Sequence, residues 1–461
     1  MTTRKPSLIM TAVVMLLLLG LTVQCTVPTP VPATPAQSTE GAPPPTEAAP
    51  PQAAGETQKV VLKALVRGYS LEQDSPWQLA VDQLKANHPE LDIEVQFDGV
   101  SYDDLRRKSL LSLQAGQGYD IIQLDNIWLG EFVDGDLVRD VSDYFEAWDN
   151  KGDVPEFFYK TATWDGKLWG LWLHSDIRTL HWNKELFRQF GLDPEKPPTT
   201  WDELAQMGQK CTQPPDNWGY AFPGAQEEAT AERWYPFLWQ MGGQILSDDN
   251  KTATFNSEAG VQALTFLGDL VNKYKITPPD IASVVYDDLE MIVITGQQYC
   301  MGIVVGTGYL TEGTDQYHTP EEYRQVRGAT FLPVGPGGHK ATGAGGYILT
   351  ISSKSEYPEL AWELMTLATD PQNAREYWYG EGRVPTRQSA LDDYEGFSKA
   401  QAYYEIIAES VPIANLSPQV PEYPQFLPYI ITAVQRVILG EADAKQALDE
   451  AAAQTDALFT Q

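Results

Sequence analysis

The chain has 461 residues, a formal net charge of −31, and 43% hydrophobic and 11% aromatic residues. Single hydrophobic cores stop growing near roughly 250–300 residues, so this length predicts more than one lobe. The acidity argues against nucleic acid and anionic membrane surfaces, which need Lys/Arg to neutralise phosphate, and leaves small neutral solutes open.

At the N-terminus, Arg4 and Lys5 precede an apolar run over residues 8–23, too short for a membrane span and readable as an export signal. Cys25 follows directly, where it resembles the lipid-modified cysteine of bacterial lipoproteins. Thr22, Val23 and Gln24 stand in place of the Leu, small residue and Gly or Ala usual there. The expectation is a signal peptide over residues 1–25 and a lipid on Cys25 that holds the protein to the membrane. Residues 26–58 are rich in Pro, Ala and Thr and cannot bury enough surface to offset chain entropy, so they read as a disordered, extended tether. Cys211 and Cys300 lie in no CxxC or Cys/His cluster, which argues against structural zinc. They read as two separately buried thiols, with a disulfide as the alternative.

The folded body opens with strands at 60–66, 93–97 and 119–124, alternating with helices at 75–88 and 102–115. This βαβαβ rhythm implies a parallel sheet covered by helices, with ligands beyond the carboxyl ends of its strands. The stretch GKLWGLWLHSDIRTLHWNKELFRQFG, residues 166–191, reads as a long extended run followed by a short helix over 184–190, and as the first crossing between lobes. Thr200 and Glu203 have capping-box spacing. Strands are expected at 218–222, 298–305, 329–333 and 347–351, and helices at 232–241, 260–274, 359–368 and 442–458. GPGGHKATGAGG reads as a loop, and so do residues 377–387.

In this order, YDIIQLDNIW, GKLWGLWLHSDIRTLHWNKELF, GLDPEKPPTTWDEL, GQQYCMGI, FLPVGPGG, GAGGYILTISSKSEYPELAWELM and GRVPTRQS resemble the extracellular solute-binding proteins of ABC importers, the group that includes maltose-binding protein. The resemblance implies an α/β, two-lobed periplasmic-binding-protein-like fold of type II, each lobe a mostly parallel sheet flanked by helices. Crossings would fall near 175–178, 338–346 and 384–386. One lobe would comprise 59–175 plus 346–385 and the other 176–338 plus 386–461, with a hinge at 339–345. Hinges need residues that absorb large φ/ψ changes, which suits the glycines of the second crossing.

The implied function is capture of an extracellular mono- or oligosaccharide and delivery to a permease, with no enzymatic step, no cofactor, no metal, and a monomer as the working unit. Sugars are held by rings on their apolar faces and by carboxylates and amides on their hydroxyls. Candidates of both types fall in the cleft loops: Tyr69 after the first strand; Asp125, Asn126 and Trp128 after the third; Asp176 in the crossing run; Glu232 and Trp234 at the start of the aromatic helix; Thr307 and Tyr309; then Gly346, Tyr347, Arg387, Tyr423 and Phe426. Against these, Asp125 could be a helix cap, Arg387 a structural ion-pair partner, and Tyr235, Phe237 and Trp239 read as core. Rival readings are a glycerol phosphate binder, drawing on Arg67, Arg178, Arg233 and Arg387; a glycosidase using Asp125, Asp176 and Glu232; and an adhesin. HExxH, GxSxG and GxxxxGK[ST] are absent.

Overall fold

The computed structural model describes residues 58–460 apart from 72–74, 117, 287–288, 290–292, 294–295, 306–318 and 381–382; the side chains of Tyr69, Asp103 and Tyr379 also lie outside it. The expectations for residues 1–57, and so for Cys25, fall outside the described residues. Strand β1 (Gln58–Arg67) pairs in parallel with β2 (Leu91–Val100) and β3 (Ile121–Asp125), as the βαβαβ reading requires. Helix α1 (Pro76–Asn87) starts where Ser75 accepts from the Trp77 N–H and Pro76 needs no partner for its missing N–H. Helix α2 (Tyr102–Gln114) is capped by Ser101, and Gly116, at φ +67, lets the chain leave it.

A hairpin, Thr163–Trp164 against Lys167–Leu168, turns on Asp165 and Gly166, both at positive φ as a type I′ turn demands. Strand β4 (Leu171–Asn183) follows, and every residue of it except Asp176 is buried. Helix α3 (Trp201–Cys211) has Thr200 as its cap, and Glu203 reaches back to the Thr199 N–H at 2.7 Å. Next come β5 (Trp218–Ala221), α4 (Glu228–Gln240), α5 (Glu258–Asn272), β6 (Tyr299–Val305), β7 (Arg327–Thr330) and β8 (Thr342–Ile351). Helices α6 (Pro358–Ala368) and α7 (Pro371–Gly380), the two-residue strand β9 (Ala414–Asn415), and helices α8 (Tyr423–Ile438) and α9 (Ala444–Phe459) complete the elements used below.

The strands form one mixed sheet in the order β2-β1-β3-β8-β4-β6-β5, with β7 on β4 and β9 on β8. Strand β4 is the spine. Its first half pairs antiparallel with β8, and its second half with β6 and β7.

Three expectations are corrected. GAGG is not a loop: residues 342–346 are the first half of β8, and Gly345 and Gly346 pair with Asp176 and Ser175. Only a side chain of hydrogen fits there, because a Cβ on Gly346 would lie 2.4 Å from the His174 carbonyl oxygen and its φ is +132. Residues 377–380 belong to α7, whose Tyr377 and Trp378 are buried. Cys211 and Cys300 form a disulfide, Cα–Cα 6.2 Å, which fastens the end of α3 to β6. Their separation of 89 residues in the chain hid a contact that the α3–β5–β6 packing creates.

Candidate functional site

Burial marks the site within the sheet. In β3, β8 and β4, lying side by side, Asp125, Tyr347 and Asp176 are left half-exposed and every other residue is buried. Tyr347 is directly opposite Asp125, and Gly345 directly opposite Asp176. Asp125 and Asp176 lie close to Glu232 of α4, a helix that carries Glu228 and Glu232 one turn apart.

Arg178 joins these elements. Its Nη1 donates to Asp176 Oδ1 and its Nη2 to Glu232 Oε2, each at 2.7 Å. Burial opposes the guanidinium charge, yet the two carboxylates outweigh it and hold Arg178 protonated. Glycines of β8 make the room: a Cβ on Gly345 would stand 3.0 Å from Arg178 Nη1 and 3.2 Å from Asp176 Oδ1. Asp125 caps the turn Asn126–Trp128 through the Ile127 N–H and also accepts from the Tyr102 hydroxyl at 3.1 Å. The Tyr102 ring lies 5.1 Å from that of Trp128, and the Arg67 guanidinium sits 5.5 Å from its face.

These carboxylates are close enough to disturb one another. Burial, with the charges of Glu232 and Asp176, pushes the Asp125 carboxyl up to about 7. Burial, then Glu232 and Asp125, pushes Glu228 well above the usual carboxylate range. The arrangement therefore offers several carboxyl groups as acceptors for hydroxyls, with rings that wall them.

Asn126 is buried, and neither its Nδ2 nor its Oδ1 has a partner within the described protein, so its amide has unused capacity. Its backbone carbonyl accepts from the Gln419 amide, which also reaches the Thr161 carbonyl.

Asp125, Trp128, Asp176, Glu232 and Tyr347 thus come together, with Asn126 beside Asp125 in the same turn, whereas Gly346 turns its face to His174 and Trp172 and contributes backbone only. Four other candidates do not. Trp234 is wholly buried against Tyr235 and Phe255, because its position on α4 points it into the core. Tyr423 and Phe426 are likewise closed off on α8, the Tyr423 hydroxyl 3.2 Å from that of Tyr235. Arg387 bonds the Thr369 carbonyl and hydroxyl and stacks 4.1 Å from the Trp148 ring centroid, away from the carboxylates. Tyr69 has its backbone in the turn Gly68–Leu71, with its side chain outside the described residues; Thr307 and Tyr309 lie outside them altogether. Sequence reasoning missed Glu228 and Tyr102. Placing the start of α4 at Glu232 dropped its first turn, although Glu228 stands at the i−4 position that shares a face with Glu232.

Residues 68–375 match the bacterial extracellular solute-binding proteins. The chain belongs to that family. Among solved structures, an ABC transporter solute-binding protein of Thermotoga lettingae bound with α-D-tagatose superposes with a TM-score of 0.71 at 27% identity, over 87% of this chain and 99% of that one. The cyclic α-maltosyl-1,6-maltose binding protein of Arthrobacter globiformis gives 0.73 at 22% identity, over 87% and 99%. By sequence, a protein of Sinorhizobium fredii named as a probable amino-acid ABC transporter periplasmic-binding protein is 27% identical over 341 residues, 72% of this chain and 73% of its own. The architecture of this solute-binding protein is accordingly the two-lobed α/β fold of type II periplasmic binding proteins, with a mixed central sheet in place of mostly parallel ones. Among the described residues no helix is long and apolar enough to cross a membrane.

Proposed function

We propose that this protein is the solute-capturing component of an ABC importer and that its solute is a carbohydrate. One observation carries the reading: carboxylates from three elements, Asp125, Asp176 and Glu232, converge with Glu228 beside the Tyr102, Trp128 and Tyr347 rings. Sugar hydroxyls donate to carboxyl groups while rings cover the apolar faces of a sugar, and this set supplies both together. Phosphate is disfavoured, because both ends of the Arg178 fork are already taken by carboxylates.

Capture would work by closure of two lobes, residues 59–175 plus 346–385 against 176–338 plus 386–461. Support for these bounds comes from three segments meeting at Ser175, which exchanges backbone hydrogen bonds with Val384 at 3.1 and 2.8 Å and bonds the Gly345 carbonyl through its hydroxyl. A solute that touches both sides only when they are closed shifts the population to that state. The protein would work as a monomer that meets its permease, held to the membrane by a lipid on Cys25.

Thermal unfolding of the purified protein against monosaccharides, oligosaccharides, glycerol phosphate and amino acids tests the solute. A saturable rise in Tm with one sugar class is expected. A rise with glycerol phosphate or an amino acid and none with sugars would overturn the carbohydrate reading. Chromatography of the same sugar mixtures for cleavage products would expose a glycosidase.

A further inference from the structure

The crossing strand β4 carries one residue more than its partner β8. Tyr347 stands opposite His174, but the next residue, Ile348, stands opposite Trp172, so Leu173 is extra and forms a β-bulge. Side chains alternate along a strand, and an uninterrupted β4 would put Trp172, His174 and Asp176 on one face. The structure separates them. The His174 ring lies 5.4 Å from that of Tyr347, and a Cβ on Gly345 would stand 3.2 Å from Asp176 Oδ1, so both residues share the face of Tyr347 and Asp125. Trp172 belongs to the other face, where its ring is 5.6 Å from that of Phe158 and would lie 3.1 Å from a Cβ on Gly346. Asp176 and Arg178 follow the register that the bulge sets; a slip of one residue would turn both away from the cleft.

The bulge is held from outside the ladder. The Leu173 carbonyl accepts from Trp378 Nε1 at 3.0 Å, and the Trp172 carbonyl from the Thr386 hydroxyl at 2.7 Å. Successive carbonyls of a regular strand point to opposite edges, whereas these two in a row meet the same stretch of chain, residues 378–386. Trp378 and Thr386 are both buried, so a lost donor would leave its carbonyl without water to replace it.

We propose that Trp378 and Thr386 are positioning residues of the solute site: by holding the Leu173 bulge they keep Asp176, and with it the Arg178 clamp, turned toward the cleft. This rests on the reading of those carboxylates as solute contacts, but its first test needs no solute. Hydrogen exchange of the unliganded protein over residues 171–178 should be at least about tenfold faster in Trp378→Phe and in Thr386→Val, each of which removes one donor and nearly keeps its shape. Thr386→Ser, which keeps the hydroxyl, should return exchange to the wild-type rate. Thr350→Val is the matched control, because the Thr350 hydroxyl bonds the Ile122 carbonyl at 3.1 Å in the same sheet where the ladder is regular. It should leave exchange over 171–178 unchanged. In isothermal titration with glucose, galactose, maltose and cellobiose, the sugar that wild type binds most tightly should bind Trp378→Phe and Thr386→Val at least about fivefold more weakly, and Thr350→Val within about twofold. Unchanged exchange over 171–178, undiminished affinity in Trp378→Phe and Thr386→Val, or an equal loss of affinity in Thr350→Val would overturn the positioning role while leaving sugar capture standing. Binding of no sugar by the wild type would overturn the carbohydrate reading alone, and exchange would still decide whether these side chains hold the bulge.

Discussion

Arg178 and Arg387 are both buried, at 6% and 2% exposure, yet their surroundings differ in kind. Arg178 is clamped between two carboxylates that are themselves partly open to solvent, at 17% and 18%. Arg387 donates to the carbonyl and hydroxyl of Thr369 and lies on the Trp148 ring, and burial lowers it to about 10 despite Asp153 and Asp370. A cation facing uncovered carboxylates is part of a surface that can exchange partners. A cation facing carbonyls and an indole is mortar. Residue type alone does not separate these cases; the partner atoms do.

The comparison breaks most readily at Arg178. Arg178→Ala leaves Asp176 without its cation and Glu232 with only Arg233 at 3.5 Å, beside Asp125 and Glu228, and removing one partner of a buried pair typically costs about 3–5 kcal/mol. Urea unfolding should show a loss of that order together with loss of solute binding; an unchanged midpoint would mean the clamp is no clamp. Arg387→Met should cost less, about 2 kcal/mol for the stranded Thr369 acceptors and the lost stack, and should leave solute affinity unchanged. A weakened affinity in Arg387→Met would put it back among the binding residues.

Protons sharpen the same contrast. Asp125 and Glu228 are both raised in the folded chain, so the folded state holds protons that the unfolded chain releases. The stability they contribute is complete below the ordinary carboxylate values of 3.8 and 4.5. It is lost as pH rises toward the folded value, about 7 for Asp125. Asp125→Asn should therefore gain on the wild type as pH goes from 4 to 7, measured by unfolding at each pH. A stability difference constant over that window would mean that Asp125 does not carry its charge in the company of Glu232 and Asp176.

Much of this was legible in the residues. The βαβαβ opening, the long run of β4 and the caps at Ser75 and Thr200 follow from local propensity and spacing, and Asp125 stands at the end of β3, Asp176 within the crossing run β4 and Glu232 in the aromatic helix α4. What sequence could not supply was direction. Trp234 and Glu232 are two residues apart on α4, so one faces the carboxylates and the other the core. Glycine was the other blind spot. GAGG has the composition of a loop, but here small size serves close packing of β8 on β4, a tertiary demand with no local signature. The Cys211–Cys300 bond depends on the packing of α3 against the strands in the same way.

Gly345 gives the smallest and most specific prediction. Its φ is not left-handed, unlike that of Gly346, so alanine meets no backbone objection there. The objection is the guanidinium, 3.0 Å from the new Cβ. A long side chain usually gives way to such a contact, but Arg178 is held at both ends by 2.7 Å bonds and can move only by stretching one of them. Gly345→Ala should therefore cost about 1–2 kcal/mol, in the range of mild overpacking, and weaken solute binding. Gly343→Ala touches the methylene stem at 3.3 Å, where no bond needs to stretch, and should cost less than half as much. Unfolding of the two variants side by side decides the point: equal costs would mean that crowding of the strand, rather than the pinning of Arg178, is what the glycines relieve.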